Sequence, residues 1–160
     1  MMSLILLTAC SSTAKADQLK IETYKTMYTD VLNASGFINS STFFTVTPSV
    51  NALTDSTYRY DVILDDPKVA MYDVEILLIR DDGSLVISES MMPSVGIFEG
   101  KTYTMIPHQT NTSANFVQGF DLNGISATIP IKLKMVVQWK DASNNPFKEY
   151  FQFDLTTTQD

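Results

Sequence analysis

At 160 residues the chain has room for one domain with a proper core and little else. An apolar fraction of 44% argues against a disordered protein, and a formal charge of −7 argues against a nucleic-acid surface, which needs Lys and Arg clusters, and against lying flat on anionic lipid. The lone cysteine, Cys10, allows no internal disulfide, which is unusual for an exported domain unless that thiol has another use.

The first stretch is an apolar run from Met1 to Ala9, closing on Leu7-Thr8-Ala9-Cys10. As a helix, residues 1–9 would reach roughly 13 Å, far short of the roughly 30 Å of bilayer hydrocarbon. They read as a signal remnant and not as a membrane span. The four closing residues match the lipobox at every position, so the N-terminus resembles that of bacterial lipoproteins over its first ten residues. The resemblance implies cleavage before Cys10, a diacylglycerol on its thiol and an acyl chain on the new amino group. It also implies a location in the cell envelope, and Ser11 after the cysteine resembles the outer-membrane sorting signal of two-membrane hosts. Such signals begin with Lys or Arg, which Met1-Met2-Ser3 lacks; an in-frame upstream start adding a basic residue is expected.

Residues 10–17 follow as the lipidated cysteine and a small, polar stretch read as a flexible tether. Residues 18–40 form an N-terminal segment open to two readings. Leu19, Ile21, Tyr24, Met27/Tyr28 and Val31/Leu32 fit a helical stripe that Asp17 could cap, while Leu19, Ile21 and Thr23 alternate as a strand would. Helix is the favoured reading, ended by Asn33-Ala34-Ser35-Gly36.

From residue 41 to 160 the pattern is that of strands and turns. Phe43 to Val46 is a first strand, stopped by Pro48. Tyr58, Tyr60, Val62 and Leu64 alternate with Arg59 and Asp61, and Asp65-Asp66-Pro67 closes the second. Tyr72 to Ile79 is apolar on both sides around Ile76 to Ile79, as in a strand covered twice. Arg80-Asp81-Asp82-Gly83 suits a tight hairpin turn, with Ser84 to Ser88 as the returning partner. Met91 to Lys101 reads as a long apolar loop, Thr102 to Ile106 and Asn115 to Phe120 as short strands. Finally Ile131, Leu133, Met135, Val137 and Trp139 alternate with Lys132, Lys134 and Gln138, and Phe147 to Leu155 returns after a turn at 141–146. This hairpin is too apolar on one side to stand without a second sheet. The fold expected is mainly β: an antiparallel, immunoglobulin-like sandwich of about seven or eight strands with a possible short N-terminal helix.

Chemistry is sparse. The single histidine, His108, lies on a polar segment with no Gly-x-Ser-x-Gly elbow, and one Cys with one His cannot make a zinc site. No phosphate-cradling glycine motif occurs. Asp65, Asp66, Asp81 and Asp82 are weak calcium candidates, although their loops bracket one strand and should lie at opposite ends of the sandwich. Trp139, Tyr150, Phe151 and Phe153 could form a sugar platform, but the parity of all except Tyr150 places them in the core. Met91, Met92 and Phe98 are the candidate partner-binding residues, since unbranched Met adapts to varied surfaces and Phe98 could anchor in a pocket. Asn33, Asn39 and Asn111 head Asn-x-Ser/Thr sequences that a bacterial lipobox makes coincidental. The function expected is a non-catalytic, lipid-anchored envelope protein with no cofactor beyond the lipid on Cys10, binding an envelope protein or glycan by a loop or strand edge. The alternative is a surface carbohydrate-binding or calcium-dependent adhesion module.

Overall fold

The computed structural model describes residues 9–81 and 92–156, with side chains from Thr13 onward in the N-terminal helix. The described elements are a helix α1 (Ala9–Asn33) and seven strands: β1 (Thr45–Ala52), β2 (Tyr58–Asp65), β3 (Tyr72–Arg80), β4 (Ser94–Val95), β5 (Gly119–Ser126), β6 (Ile131–Lys140) and β7 (Pro146–Leu155). A 3-10 turn, Thr112–Ala114, precedes β5. Two antiparallel sheets form, in the orders β1-β2-β5 and β4-β3-β6-β7. With the first, second and fifth strands in one sheet and the others in its partner, this is an antiparallel, immunoglobulin-like sandwich.

Alternation along the strands creates the interior. Tyr60, Val62 and Leu64 of β2 face Ile76 and Leu78 of β3, Leu133, Met135, Val137 and Trp139 of β6 and Phe151, Phe153 and Leu155 of β7. Phe44 completes the layer, its ring 5.6 Å from that of Trp139 and 5.8 Å from that of Phe151. At Gly124 of β5, a β-carbon would stand 2.3 Å from the hydroxyl oxygen of Tyr60, its direct partner on β2. The glycine is there because the tyrosine ring crosses over it.

The double coverage of β3 has a specific source. Its other face carries Leu77 and Ile79, which with Val136 of β6 are buried under Tyr24, Met27, Tyr28 and Val31 of α1. The helical periodicity of 24, 27, 28 and 31 puts these four on one stripe, and burial of each contributes about 1.5–3 kcal/mol. The molecule therefore has three layers: helix, four-stranded sheet and three-stranded sheet.

Several expectations need correction. The helix takes in Ser11 to Asp17, so the expected flexible tether is helical backbone; Asp17 is not a cap but an interior residue 3.8 Å from Lys20 one turn on. Pro48 does not stop β1, which continues to Ala52. As the outermost strand of its sheet, β1 can hold a residue that donates no ladder hydrogen bond. Thr102 to Ile106 forms only isolated bridges, from Met105 to Met71, from Thr104 to Phe116 and from Ile106 to Gln109. The strand expected at Asn115 to Phe120 starts at Gly119 and runs on to Ser126. The apolar loop from Met91 to Lys101 contains β4, which pairs with Ile76 and Leu77. Asp82, Gly83, the expected strand Ser84 to Ser88 and Met91 lie outside the described residues, as do Leu7 and Thr8 of the lipobox.

Candidate binding cleft

Among the described residues, the outer face of the four-stranded sheet is covered in part by α1. Its cross-strand rows can be followed from the register. Leu77, Val136 and Tyr150 form an apolar row beneath the helix. One row further, Glu75, Gln138 and Lys148 stand opposite one another, and the next contains Lys140 and Pro146. The surface thus changes from apolar to charged within one step of two residues along each strand.

At this charged end lies a cleft of about 510 Å³, within the roughly 300–1,000 Å³ range of small-ligand pockets. Trp139, Pro146 and Phe147 line its apolar side, with Asp73, Glu75, Gln138, Lys140 and Lys148 as polar groups and Thr102 at the margin. The Trp139 and Phe147 rings stack at 5.4 Å with an interplanar angle of 11°, and Phe43 meets both edge-on. This aromatic cluster makes the apolar side rigid.

Asp73 owes its position to a bulge. Tyr72 pairs with Lys140 and Glu75 with Gln138, so β3 inserts one extra residue against β6. Asp73 has φ 51, the left-handed region, whereas Ser56, Asp66, His108, Asn115 and Asn144, which share positive φ, lie outside the strands. The bulge lets both Met71 and Val74 point inward, fully buried, and leaves the Asp73 carboxylate to accept a hydrogen bond from Lys140 Nζ at 2.9 Å. That hydrogen bond, with the charge of the carboxylate, holds the Lys140 ammonium above its ordinary pKa. Gln138 Nε2 donates to Glu75.

Lys148 connects the cleft to the helix. Its Nζ lies 2.6 Å from Asp30 Oδ2, which also accepts from the Tyr150 hydroxyl at 2.8 Å. The Lys148 hydrogen bond lowers the Asp30 pKa; burial opposes it and Tyr150 adds to it. A smaller hollow of about 290 Å³ continues between α1 and this face, bounded by Leu19, Thr23, Met27, Gln138 and Lys148. On the opposite, core-facing side of β7, Glu149 is directly across from Val137. Its Oε2 is buried without a hydrogen-bond partner among the described residues, and burial raises its pKa against the pull of a Ser41 hydrogen bond.

The residues singled out in the sequence fall elsewhere. Trp139, Phe151 and Phe153 are core residues at 3%, 0% and 5% exposure. Tyr150 lies on the outer face, edge-on to Phe37 at 6.4 Å. Met92 and Phe98 are half-buried against α1: the Met92 N–H donates to the Tyr24 hydroxyl at 3.0 Å and the Phe98 ring is 5.7 Å from that of Tyr24. These side chains pack on the chain's own helix and are not displayed as an apolar surface. Asp65 ends β2 and Asp66 follows it, while Asp81 follows β3 near Arg80, whose guanidinium donates to Ile125 O, opposite the start of β2. The aspartates on either side of β3 are therefore at opposite ends; Asp66 pairs with Lys68 and Asp81 with Lys134, 2.8 Å away. No cluster of three or more potential metal ligands occurs among the described residues. His108 is exposed, and so are Asn33, Asn39 and Asn111. Cys10 falls within the helical backbone of α1.

Asp73, Glu75, Gln138, Lys140 and Lys148 were not recognised as a group in the sequence. Strand parity assigns Gln138 and Lys140 to the face opposite Trp139, but the register that sets Glu75 and Lys148 beside Gln138, and the bulge at Asp73, have no local signature. Comparison with family models, curated proteins and solved structures returns no match.

Proposed function

We propose that the protein is a non-catalytic bacterial envelope lipoprotein, fastened through a diacylglycerol and an N-acyl chain on Cys10, whose sandwich binds another envelope component. The observation that carries this reading is Leu7-Thr8-Ala9-Cys10, a full lipobox at the end of a short apolar run. Two features support it. The cysteine is at the very start of α1, and the same helix packs its residues 24–31 on the sheet, so lipid and sandwich would be joined by helical backbone. Among the described residues no helix is long and apolar enough to cross a membrane. A single acyl chain holds weakly and two or three hold firmly, at about 0.8 kcal/mol for each buried methylene. In a two-membrane host, Ser11 directs the protein to the outer membrane.

Mass spectrometry of the native protein tests the anchor. The expected product begins at Cys10 and carries the mass of two or three acyl chains, and Cys10→Ser moves the protein from the membrane to the soluble fraction. A native chain that starts elsewhere with an unmodified thiol refutes the assignment. Crosslinking in the native envelope followed by pull-down tests the binding role, which predicts a recurrent partner.

A further inference from the structure

Among the partner classes open to an envelope binding module, the cleft discriminates by its chemistry. Its formal charges balance, with the carboxylates of Asp73 and Glu75 against the ammonium groups of Lys140 and Lys148. Lys140 is paired with Asp73 and Lys148 with Asp30, so an ionic ligand would have to displace existing pairs to gain its own. The cleft also opens over β6, the strand between β3 and β7. There the backbone groups of β6 are engaged with β3 on one side and β7 on the other, so an extended peptide lying over the cleft could not pair with them as a further strand. Recognition must come from side chains.

Those side chains set acceptors beside donors: the Asp73 carboxylate beside the Lys140 ammonium, and the Glu75 carboxylate beside the amide N–H of Gln138. A hydroxyl both donates and accepts, so vicinal hydroxyls can bridge such pairs without bringing a charge into the cleft. The C–H face of a pyranose ring then packs on Pro146, which borders the cleft on its apolar side together with Phe147 and Trp139. The bulge adds an independent indication. Asp73 holds a left-handed backbone conformation inside a strand, where no chain reversal requires it, and strained residues of this kind cluster at ligand sites.

We propose that the cleft between Asp73, Glu75, Gln138, Lys140 and Phe147 binds a neutral glycan segment of one or two pyranose rings. This rests on the reading of the sandwich as a binding module and names its ligand class. The site shares Gln138 and Lys148 with the hollow beside α1, so a longer chain would extend along the helix.

The test is titration of the full isotope-labelled chain, followed by amide chemical shifts, with cellobiose, maltose and diacetylchitobiose as neutral probes and glycylglycine as the zwitterionic one. At least one disaccharide is expected to move the resonances of residues 73–75, 138–140 and 146–148, and glycylglycine to leave them in place. Glu75→Ala and Lys140→Ala should each weaken the disaccharide about tenfold, the loss that removing one hydrogen bond to a charged group implies, with an unchanged thermal midpoint. The proposal is overturned if no disaccharide moves these resonances, if glycylglycine alone does so, or if both variants bind as the parent does. A protein partner captured by crosslinking without any disaccharide response removes the glycan and keeps the binding module. An unlipidated Cys10 with an intact disaccharide response removes the anchor and keeps the cleft.

Discussion

The two sheets of this sandwich present opposite outer faces. That of the four-stranded sheet carries Leu77, Ile79 and Val136, all fully buried under the N-terminal helix. That of the three-stranded sheet carries Thr45, Thr47, Ser49 and Asn51 on β1, Arg59 and Asp61 on β2 and Asp121 on β5, and meets solvent. Arg59 ties that face together, 2.7 Å from Asp61 and 3.8 Å from Asp121. The difference explains why β2 alternates and β3 does not: a strand has a two-residue pattern only where one of its faces is wet. An apolar run such as Ile76 to Ile79 is thus a statement about a third layer, and the stripe of α1 is that layer.

Placing a charge on each face gives the largest contrast. Val136→Lys, beneath the helix, is expected to cost about 3–5 kcal/mol, because the ammonium would be buried without a partner, and to detach α1 or unfold the domain. Thr47→Lys on the other face should stay within about 0.5 kcal/mol of the parent. Urea unfolding curves check both, and equal losses would break the comparison. Tyr24→Ala removes the ring that holds Met92 and Phe98 as well as a share of the sheet contact, and should cost about 3 kcal/mol. Tyr24→Phe keeps the ring and loses only the hydrogen bond from Met92, at about 1 kcal/mol.

Smaller effects depend on pH. Burial raises the folded pKa of Glu149 above its unfolded value, so its contribution to stability is present below the ordinary glutamate range, about pH 4.3, and is lost as pH rises through the folded value. Glu149→Gln removes this loss: at neutral pH it should stabilise the chain by about 1 kcal/mol and flatten the fall in thermal midpoint between acid and neutral pH. Asp30 has the opposite sign. Its pKa is lowered by Lys148, so its contribution is present above the ordinary aspartate range, about pH 3.9, and disappears as pH falls through the lower folded value. Since both side chains are more than a third exposed, solvent screens the pair. Lys148→Met should therefore cost about 0.5 kcal/mol at neutral pH and nothing once Asp30 is protonated, as read from melting curves at the two pH values.

Part of this architecture was legible before any coordinates. Alternation from Ile131 to Trp139 and from Phe147 to Leu155 identified the final hairpin and the inward side of most of its aromatic residues, and the two-sided run at Ile76 to Ile79 marked a covered strand. These signals are local: they follow from where successive side chains of one extended segment point.

The rest depended on partners distant in sequence. Whether 18–32 was helix or strand could not be settled by its own residues, since Leu19 fits both patterns and is 68% exposed; the buried sheet face awaiting Tyr24, Met27, Tyr28 and Val31 decided it. Pro48 read as a terminator until β1 proved to be an edge, and β5 lacked a clear alternation because Tyr60 fills the place of a side chain at Gly124. The cleft is the extreme case. Asp73 with Lys140 and Glu75 with Gln138 are each more than sixty positions apart, and only the antiparallel register of β3 and β6 brings them together. Composition and periodicity determined the two-sheet class of this protein, because burial is read one residue at a time; the helix cover and the cleft were decided by tertiary structure, because each exists only between surfaces.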